Sequence, residues 1–166
     1  MKTLRNHTLV YDSDCPMCDL YTKGFVKTGM LEENGRVAYG CAKVPVSFNN
    51  ERAKNEIALI DYDNYTVTYG LDSLIKVIAH SYPILGKAMR FFKAPLGVVY
   101  SFISYNRKVI APPRVFDKPG ACTPNYHIPY RIAYIIFAWL VTSLILTSYS
   151  RLLMPFVPGL TCTGSS

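Results

Sequence analysis

The sequence predicts an α/β domain followed by a long hydrophobic helix near the C-terminus. Its 166 residues suit one ordinary domain with a modest appendage, and a second full catalytic domain is excluded. Hydrophobic residues make up 50% of the chain and charged residues only 17%, which argues against disorder. Strand-like and helix-like segments alternate at the start of the chain, and a continuous apolar run follows a proline-rich stretch.

The first 40 residues have the pattern of a β-α-β unit. Residues 8–12 form a short apolar run that ends in an acidic turn, and Pro16 suits the first position of a following helix, where its missing N–H costs nothing. We expect the helix to continue to about Met30. Its predicted inward stripe is Leu20, Tyr21, Gly24, Phe25 and Leu31. Residues 36–40 then predict a second strand, parallel to the first.

The next segment predicts a short helical turn, a hairpin and a helix. Residues 51–55 suit one helical turn in an otherwise irregular stretch. Residues 56–61 and 66–69 suit two antiparallel strands joined by a four-residue turn. Apolar residues at helical spacing after Gly70 then indicate a helix, which we expect to end at Pro83.

Residues 84–105 predict a basic amphipathic helix. Lys87, Arg90 and Lys93 recur at every third position on one face. We expect the opposite face to pack on the sheet, and a helix that lies on an anionic membrane surface is the alternative. The residues of that opposite face are Leu85, Met89, Phe92 and Leu96.

A proline-rich linker and an uncharged apolar run end the chain. The 19 residues 132–150 carry no charge. At a rise of about 1.5 Å per residue they nearly match a hydrocarbon core about 30 Å thick, which predicts a transmembrane helix. A buried core helix and an interfacial segment are the alternatives. The predicted division is a domain with its helical extension over 1–110, a linker over 111–130, a membrane-anchor helix over 131–151 and a tail over 152–166.

The positive charge of the chain is concentrated in its apolar half. Residues 1–63 carry eight Lys or Arg and nine Asp or Glu, whereas residues 64–166 carry ten and two. A basic, apolar half of this kind favours binding to an anionic membrane surface or to nucleic acid. The sequence contains no nucleic-acid-binding motif. Most of the cations precede the apolar run and the N-terminus lacks the apolar core of a secretory signal, so we expect the domain to face the cytosol.

The four residues Cys15-Pro16-Met17-Cys18 carry the predicted chemistry. They lie between the first strand and the first helix, where residues three apart bring their Cα atoms within disulfide range. The unpaired N–H groups of the helix start favour a thiolate and should lower the pKa of Cys15. Cys18 lies close enough to attack a mixed disulfide on Cys15. We therefore predict reversible dithiol-disulfide exchange with a protein or low-molecular-weight thiol, with Cys15 attacking and Cys18 resolving.

Two carboxylates flank this pair and have more than one interpretation. Asp12 and Asp14 would oppose a thiolate if they are ionised nearby, and either of them could accept the proton of Cys18 as a general base. Turn formation and hydrogen bonding to the helix end compete with that role.

The remaining cysteines and histidines give no further site. In the cytosol an odd number of unevenly spaced cysteines argues against a disulfide framework. We expect Cys41 in the core and leave Cys122 and Cys162 without a role, and we predict no cofactor and no metal. His7, His80 and His127 lie in separate contexts, which disfavours a Cys-His hydrolase. The alternative function is a non-enzymatic, membrane-attached interaction module whose cysteines are structural or bind a metal.

Residues 11–18, with the sequence YDSDCPMC, resemble the signature of the DCC family of predicted thiol-disulfide oxidoreductases. The resemblance extends over roughly residues 7–110 and includes Tyr100, Asn106 and Arg107. That family is similar to thioredoxins and glutaredoxins. The resemblance therefore implies a thioredoxin-like four-stranded mixed sheet with the cysteine pair at the start of the first helix.

The resemblance also assigns roles to individual residues. It implies that Cys15 is the nucleophile, that Cys18 is the resolving thiol and that Asp14 is the family's signature acid. One position departs from thioredoxins, which place a proline just before the third strand. Asn55 and Glu56 occupy that region in this chain.

Overall fold

The computed structural model describes residues 2–41, 48–113 and 122–153. A four-stranded mixed sheet lies at its centre, with the strand order β2-β1-β3-β4. The strands are β1 (His7–Tyr11), β2 (Arg36–Ala38), β3 (Ala58–Asp61) and β4 (Thr66–Tyr69). β1 pairs with β2 in parallel, and β3 pairs with β1 and with β4 in antiparallel orientation. The predicted β-α-β unit and hairpin are therefore confirmed.

Side chains of the two central strands alternate between two apolar clusters. Leu9 lies opposite Leu59 in the register of β1 and β3, and both belong to the cluster that includes Val77. Val10 lies opposite Ala58, and both belong to the second cluster. Because none of these five residues is more than 3% exposed, truncating Leu59 to alanine would cost about 2–5 kcal/mol.

Six helices flank the sheet or follow it in the described part of the chain. They are α1 (Pro16–Lys27), α2 (Asn50–Asn55), α3 (Leu71–Ser81), α4 (Pro83–Phe91), α5 (Lys93–Ile110) and α6 (Ile128–Leu153). Pro16 occupies the first turn of α1 as predicted. The prediction that Leu20 faces inward is wrong, because it is 73% exposed. Tyr21 and Phe25, four residues apart, form the buried face, and Leu20 is rotated away from it by about 100°.

Residues 84–105 form parts of two helices, so the prediction of one continuous helix is wrong. The break falls at Phe92, between α4 and α5. α4 packs closely on α3 through Gly86, since a Cβ atom at that position would lie 2.2 Å from Cβ of Ala79. This contact takes the buried face of α4, and it leaves Leu85 and Phe92 at least half exposed instead of packed on the sheet.

The predicted apolar C-terminal helix is present and longer than expected. α6 has 26 residues, which at the usual rise corresponds to about 39 Å, and none of them is buried. Its first turns pack on α5 through ring contacts, Phe102 with Phe137 at 6.0 Å and Tyr105 with Tyr130 at 5.2 Å between centroids. Among the described helices it alone is long and apolar enough to cross a membrane.

Candidate functional site

The cysteine pair closes the turn between β1 and α1. Cys15 and Cys18 form a disulfide, with their Cα atoms 5.2 Å apart. Cys15 is the N-cap residue of α1, and its Sγ accepts a hydrogen bond from the backbone N–H of Cys18 at 3.2 Å. The backbone N–H of Cys15 in turn donates to the carbonyl oxygen of Asp12 at 3.2 Å. The strand-turn-helix context predicted from the sequence is therefore the context in which the sulfurs meet.

The Asp12 carboxylate lies next to this turn, and donors occupy both of its oxygens. Oδ1 accepts hydrogen bonds from the backbone N–H groups of Asp14 and Cys122, each at 3.1 Å. Oδ2 lies 3.1 Å from both Nε and Nη2 of Arg107. The bond from Asp14 is the turn-forming role that we weighed for Asp12. The general-base role of either aspartate stays a prediction.

Arg107 joins three parts of the chain at the buried end of the site. Besides Asp12, its guanidinium donates to the carbonyl oxygens of Lys54 at 2.7 Å and Asn55 at 3.2 Å. The side chain is only 5% exposed, so these bonds form with little competition from water. The backbone at the end of α2 is also bound by the Ser104 hydroxyl, which donates to the Asn55 carbonyl oxygen.

Two cations compensate the two carboxylates beside the disulfide. Nζ of Lys108 lies 3.5 Å from Asp12 and 3.6 Å from Asp14, and Arg107 pairs with Asp12 directly. The predicted opposition between the carboxylates and a thiolate is therefore offset, because these four side chains sum to zero charge.

Cys122 belongs to the same cluster, although the sequence left it without a role. Its Sγ accepts a hydrogen bond from Nη2 of Arg107 at 3.3 Å, and its backbone N–H reaches Asp12. Burial raises the pKa of the Cys122 thiol to about 11, with the Arg107 charge opposing the shift. A thiol with that pKa is protonated at neutral pH and is a poor nucleophile.

A cavity of about 130 Å³ adjoins the disulfide on the side of Cys18. Cys18, 8% exposed, lines it, whereas Cys15 is fully buried and does not. Most of the wall is apolar or aromatic, and its main members are Met17, Tyr21, Ile57, Leu74, Tyr100 and Ile103. The predicted pair is thus brought together, but of the two cysteines only Cys18 lines a space that a small group could enter.

The polar groups at this cavity are few. Asp12, Glu56 and Arg107 contribute to its lining. The Tyr100 hydroxyl accepts a hydrogen bond from the backbone N–H of Ile57 at 3.1 Å, and burial raises the pKa of Tyr100 to about 12. Burial likewise raises the pKa of Tyr21. Both tyrosines are therefore neutral wall residues near pH 7.

The other predicted features lie away from the site or outside the described residues. Cys41 is exposed, so its predicted place in the core is wrong: it lies in the turn after β2, beyond the last residue paired with β1. Cys162 lies outside the described residues. The His127 ring contacts the Tyr105 ring in a tilted arrangement, with 4.9 Å between centroids, beside the start of α6.

Within the described ranges, His7, Asp61 and Asp63 offer possible metal-ligand atoms within 4.8 Å of one another, at the opposite end of β1 from the disulfide. Partners within the protein already engage these groups. The His7 ring contacts the Arg5 carbonyl oxygen at 2.6 Å, and Lys76 donates to Asp61 at 2.8 Å.

Comparison with models of known protein families, with curated proteins and with solved structures found no match to this chain. The site therefore has to be interpreted from its own geometry. Sequence reasoning missed the ion pair between Asp12 and Arg107 and the place of Cys122. The adjacent Asn106 and Arg107, which follow an apolar stretch of the predicted helix, were the available signal, because polar residues that become buried need partners.

Proposed function

We propose that this protein is a thioredoxin-like thiol-disulfide oxidoreductase of the DCC type, which exchanges the Cys15–Cys18 disulfide with a protein or low-molecular-weight thiol. The observation that carries the proposal is a disulfide at the N-terminus of α1 with one sulfur against a cavity. A helix N-terminus stabilises a thiolate, and a nearby second thiol makes release of a mixed disulfide intramolecular.

The order and direction of the strands support the thioredoxin-like part of this proposal. The resemblance implied a four-stranded mixed sheet with the cysteine pair at the start of the first helix, and the strand order β2-β1-β3-β4 with Cys15 at the start of α1 agrees with it. Thioredoxins place a proline just before the third strand. In this chain the backbone at that place, before β3, is bound within the protein, because Ser104 and Arg107 donate hydrogen bonds to the Asn55 carbonyl oxygen. Substrate recognition is therefore assigned to the cavity and not to that stretch of backbone.

One observation favours the rival function, a membrane-attached interaction module with a structural disulfide. Cys15 has no exposed surface, and inert cysteines are typically buried. The two functions differ in whether the disulfide turns over in the folded protein.

Turnover is tested with the full chain in detergent and a peptide that carries two thiols. We expect the oxidised protein to convert one equivalent of the peptide to its disulfide, while Cys15 and Cys18 become reduced. The Cys15→Ser/Cys18→Ser double variant is the control and should give only the uncatalysed rate. A wild-type rate equal to that of the double variant would contradict the proposed function.

We propose further that α6 spans a membrane and that the α/β domain lies on the cytosolic side. The exposed apolar surface of α6 supports the span, because a soluble protein rarely leaves so long an apolar helix unburied. The charge distribution supports the orientation, since Lys87, Arg90, Lys93 and Arg131 precede the apolar stretch and only Arg151 follows it.

Membrane insertion is tested by placing charges in α6. Leu140→Arg combined with Leu144→Arg costs about 3 kcal/mol per arginine at mid-membrane and should release the protein from alkaline-extracted membranes. Leu20→Arg, at an exposed leucine of α1, is the matched control and should stay membrane-bound. A wild-type protein that is extracted without detergent would contradict the span, and Cys41 protected from an impermeant thiol reagent on the cytosolic side would contradict the orientation.

A further inference from the structure

The two sulfurs of the disulfide differ in access. Cys18 lines the cavity and is 8% exposed, whereas Cys15 is 0% exposed and lies outside the lining. A thiolate that opens a disulfide must reach one particular sulfur, and the rate depends on that access. In the oxidised protein Cys18 is therefore the cysteine that a thiolate in the cavity approaches.

The two sulfurs also differ as leaving groups. Sγ of Cys15 accepts the backbone N–H of Cys18 at 3.2 Å and caps the first turn of α1. Negative charge that develops on Cys15 is therefore stabilised by that N–H and by the helix N-terminus. Since a better-stabilised leaving thiolate departs faster, attack on Cys18 with departure of Cys15 is the favoured direction of opening.

The cavity beside Cys18 limits what the incoming thiol can carry. Its volume of about 130 Å³ is close to that of the cavity of about 150 Å³ that binds benzene in an engineered protein. Leu74, Ile103 and the ring of Tyr21 supply an apolar wall. A phenyl ring or a branched aliphatic group fits this space, whereas the charged body of a tripeptide thiol does not.

We propose that Cys18 is the sulfur that carries the mixed disulfide, and that the cavity binds an apolar group next to the substrate sulfur. This inference deepens the proposed function, rests on it and reverses the order of attack predicted from the sequence. A substrate thiolate attacks Sγ of Cys18, a new S–S bond forms, and the electron pair of the broken bond leaves on Cys15. A second substrate thiolate then attacks the substrate sulfur and Cys18 leaves as a thiolate. The substrate loses two electrons as its disulfide forms, and the protein gains them as two thiols.

The order of attack is tested with two single variants of the full chain in detergent. Reduced Cys15→Ser and Cys18→Ser proteins are mixed with dibenzyl disulfide across neutral and alkaline pH, and peptide mapping locates the benzyl adduct. We expect Cys15→Ser to form the adduct on Cys18 at least about tenfold faster than Cys18→Ser forms it on Cys15, because Cys15 is enclosed by the protein. An equal rate or a faster Cys18→Ser variant would overturn the inference.

The cavity is tested with Ile103→Trp in the Cys15→Ser background, which fills the space with a larger side chain. We expect the benzyl adduct to form about tenfold more slowly, while methyl methanethiosulfonate, whose transferred group is a single methylthio unit, reacts within about threefold of the parent. Oxidised glutathione serves as the polar disulfide for comparison. The rate of each reagent with the protein is divided by the rate of the same reagent with N-acetylcysteine, which removes differences in intrinsic reactivity. An unchanged benzyl rate in a variant that retains its circular dichroism would overturn the cavity assignment.

The outcomes separate this inference from the function on which it rests. If Cys18→Ser reacts faster and wild type turns over the dithiol peptide, the exchange function stands and the reversed order is wrong. If neither single variant forms an adduct and the wild-type disulfide resists dithiothreitol in the folded protein, the proposed function is wrong as well.

Discussion

The central sheet has a buried carboxylate near each of its two ends, and the two carboxylates are held in different ways. Asp61 ends β3 and is bound by groups from nearby elements. Lys76 donates to it at 2.8 Å, Asn64 donates at 3.1 Å and Nε2 of His7 lies 3.2 Å away. Asp12 lies just after β1, and it is bound by Arg107 and Cys122, which lie much further along the chain.

The distant partners of Asp12 lie 95 and 110 residues away, at Arg107 and Cys122. They bring α5 and the segment before α6 to the turn that holds the disulfide. The end of the sheet at Asp61 therefore completes the local fold, whereas the end at Asp12 joins the turn that holds the disulfide to the helical half of the chain. Substitutions at the two ends should therefore have different effects, because only the Asp12 end lies beside the disulfide.

The largest expected difference is in stability when each carboxylate loses a cation. Arg107→Met leaves Asp12 buried without its main partner and should lower the free energy of unfolding by about 3–5 kcal/mol. Lys76→Met at the other end should cost about 1 kcal/mol or less, since that lysine side chain is 35% exposed and its pair is screened by water. Urea unfolding followed by circular dichroism measures both, and equal costs would remove the proposed contrast.

The second expected effect is the acid sensitivity of the Asp61 end. Burial alone would raise the pKa of Asp61, but hydrogen bonds from Lys76 and Asn64 hold it well below its usual range. The stability that this carboxylate contributes is thus fully present above the unfolded pKa of about 3.9 and is lost as the pH falls towards the folded value.

Asp61→Asn should therefore cost about 1–3 kcal/mol at neutral pH and progressively less below about pH 4. Unfolding curves of both proteins at a series of pH values measure the difference. A difference that stays constant down to acid pH would show that the charge of Asp61 is not what stabilises this end.

A third and smaller effect distinguishes the two carboxylates by redox behaviour. Asp12→Asn removes a negative charge beside the sulfurs and leaves Asp14 as the remaining carboxylate of this group against Arg107 and Lys108, which favours thiolates and hence the reduced pair. We expect the dithiol-disulfide equilibrium to shift about tenfold towards the reduced form, the size of a single partly screened charge interaction. Asp61→Asn should shift it less than about twofold, because Asp61 lies at the far end of β1. Equilibration with a small-thiol redox buffer measures both shifts, and equal shifts would contradict the contrast.

The smallest expected effect concerns Cys122, which contacts Asp12 and Arg107 but takes no part in the proposed exchange reaction. Cys122→Ser should change the exchange rate by less than about twofold, because a thiol whose pKa is raised to about 11 is protonated near pH 7. In pulse alkylation of the folded protein, exposed Cys41 should react quickly and buried Cys122 slowly. Loss of exchange in Cys122→Ser, beside normal exchange in Cys41→Ser, would make Cys122 part of the reaction.

Much of the fold follows from local sequence signals. Pro16 marks the start of α1, and the alternation of Leu9 and Val10 between two apolar clusters marks β1 as a central strand. The proximity of Cys15 and Cys18 also follows, since helical geometry alone brings residues three apart within disulfide range. Each of these features is decided within a few residues, where spacing is informative.

Other features depend on contacts that no local pattern specifies. The pairing of Asp12 with Arg107 joins distant positions, and the full burial of Cys15 depends on the structure around the turn. Leu85 is exposed because α4 packs on α3 through Gly86 and not through the apolar face that periodicity predicted. Tertiary contacts of this kind override helical periodicity, so the difference in burial between Cys15 and Cys18 could not be predicted from the sequence.

The most direct test of the central claim is a redox titration of the Cys15–Cys18 pair in the folded, full-length protein. The protein is equilibrated with small-thiol redox buffers of graded potential, and differential alkylation with mass spectrometry reports the oxidised fraction of that one peptide. An exchanging pair should interconvert reversibly with a midpoint between about −270 and −120 mV, the range of known dithiol oxidoreductases. A pair that stays oxidised below about −300 mV would be a structural disulfide and would contradict the claim.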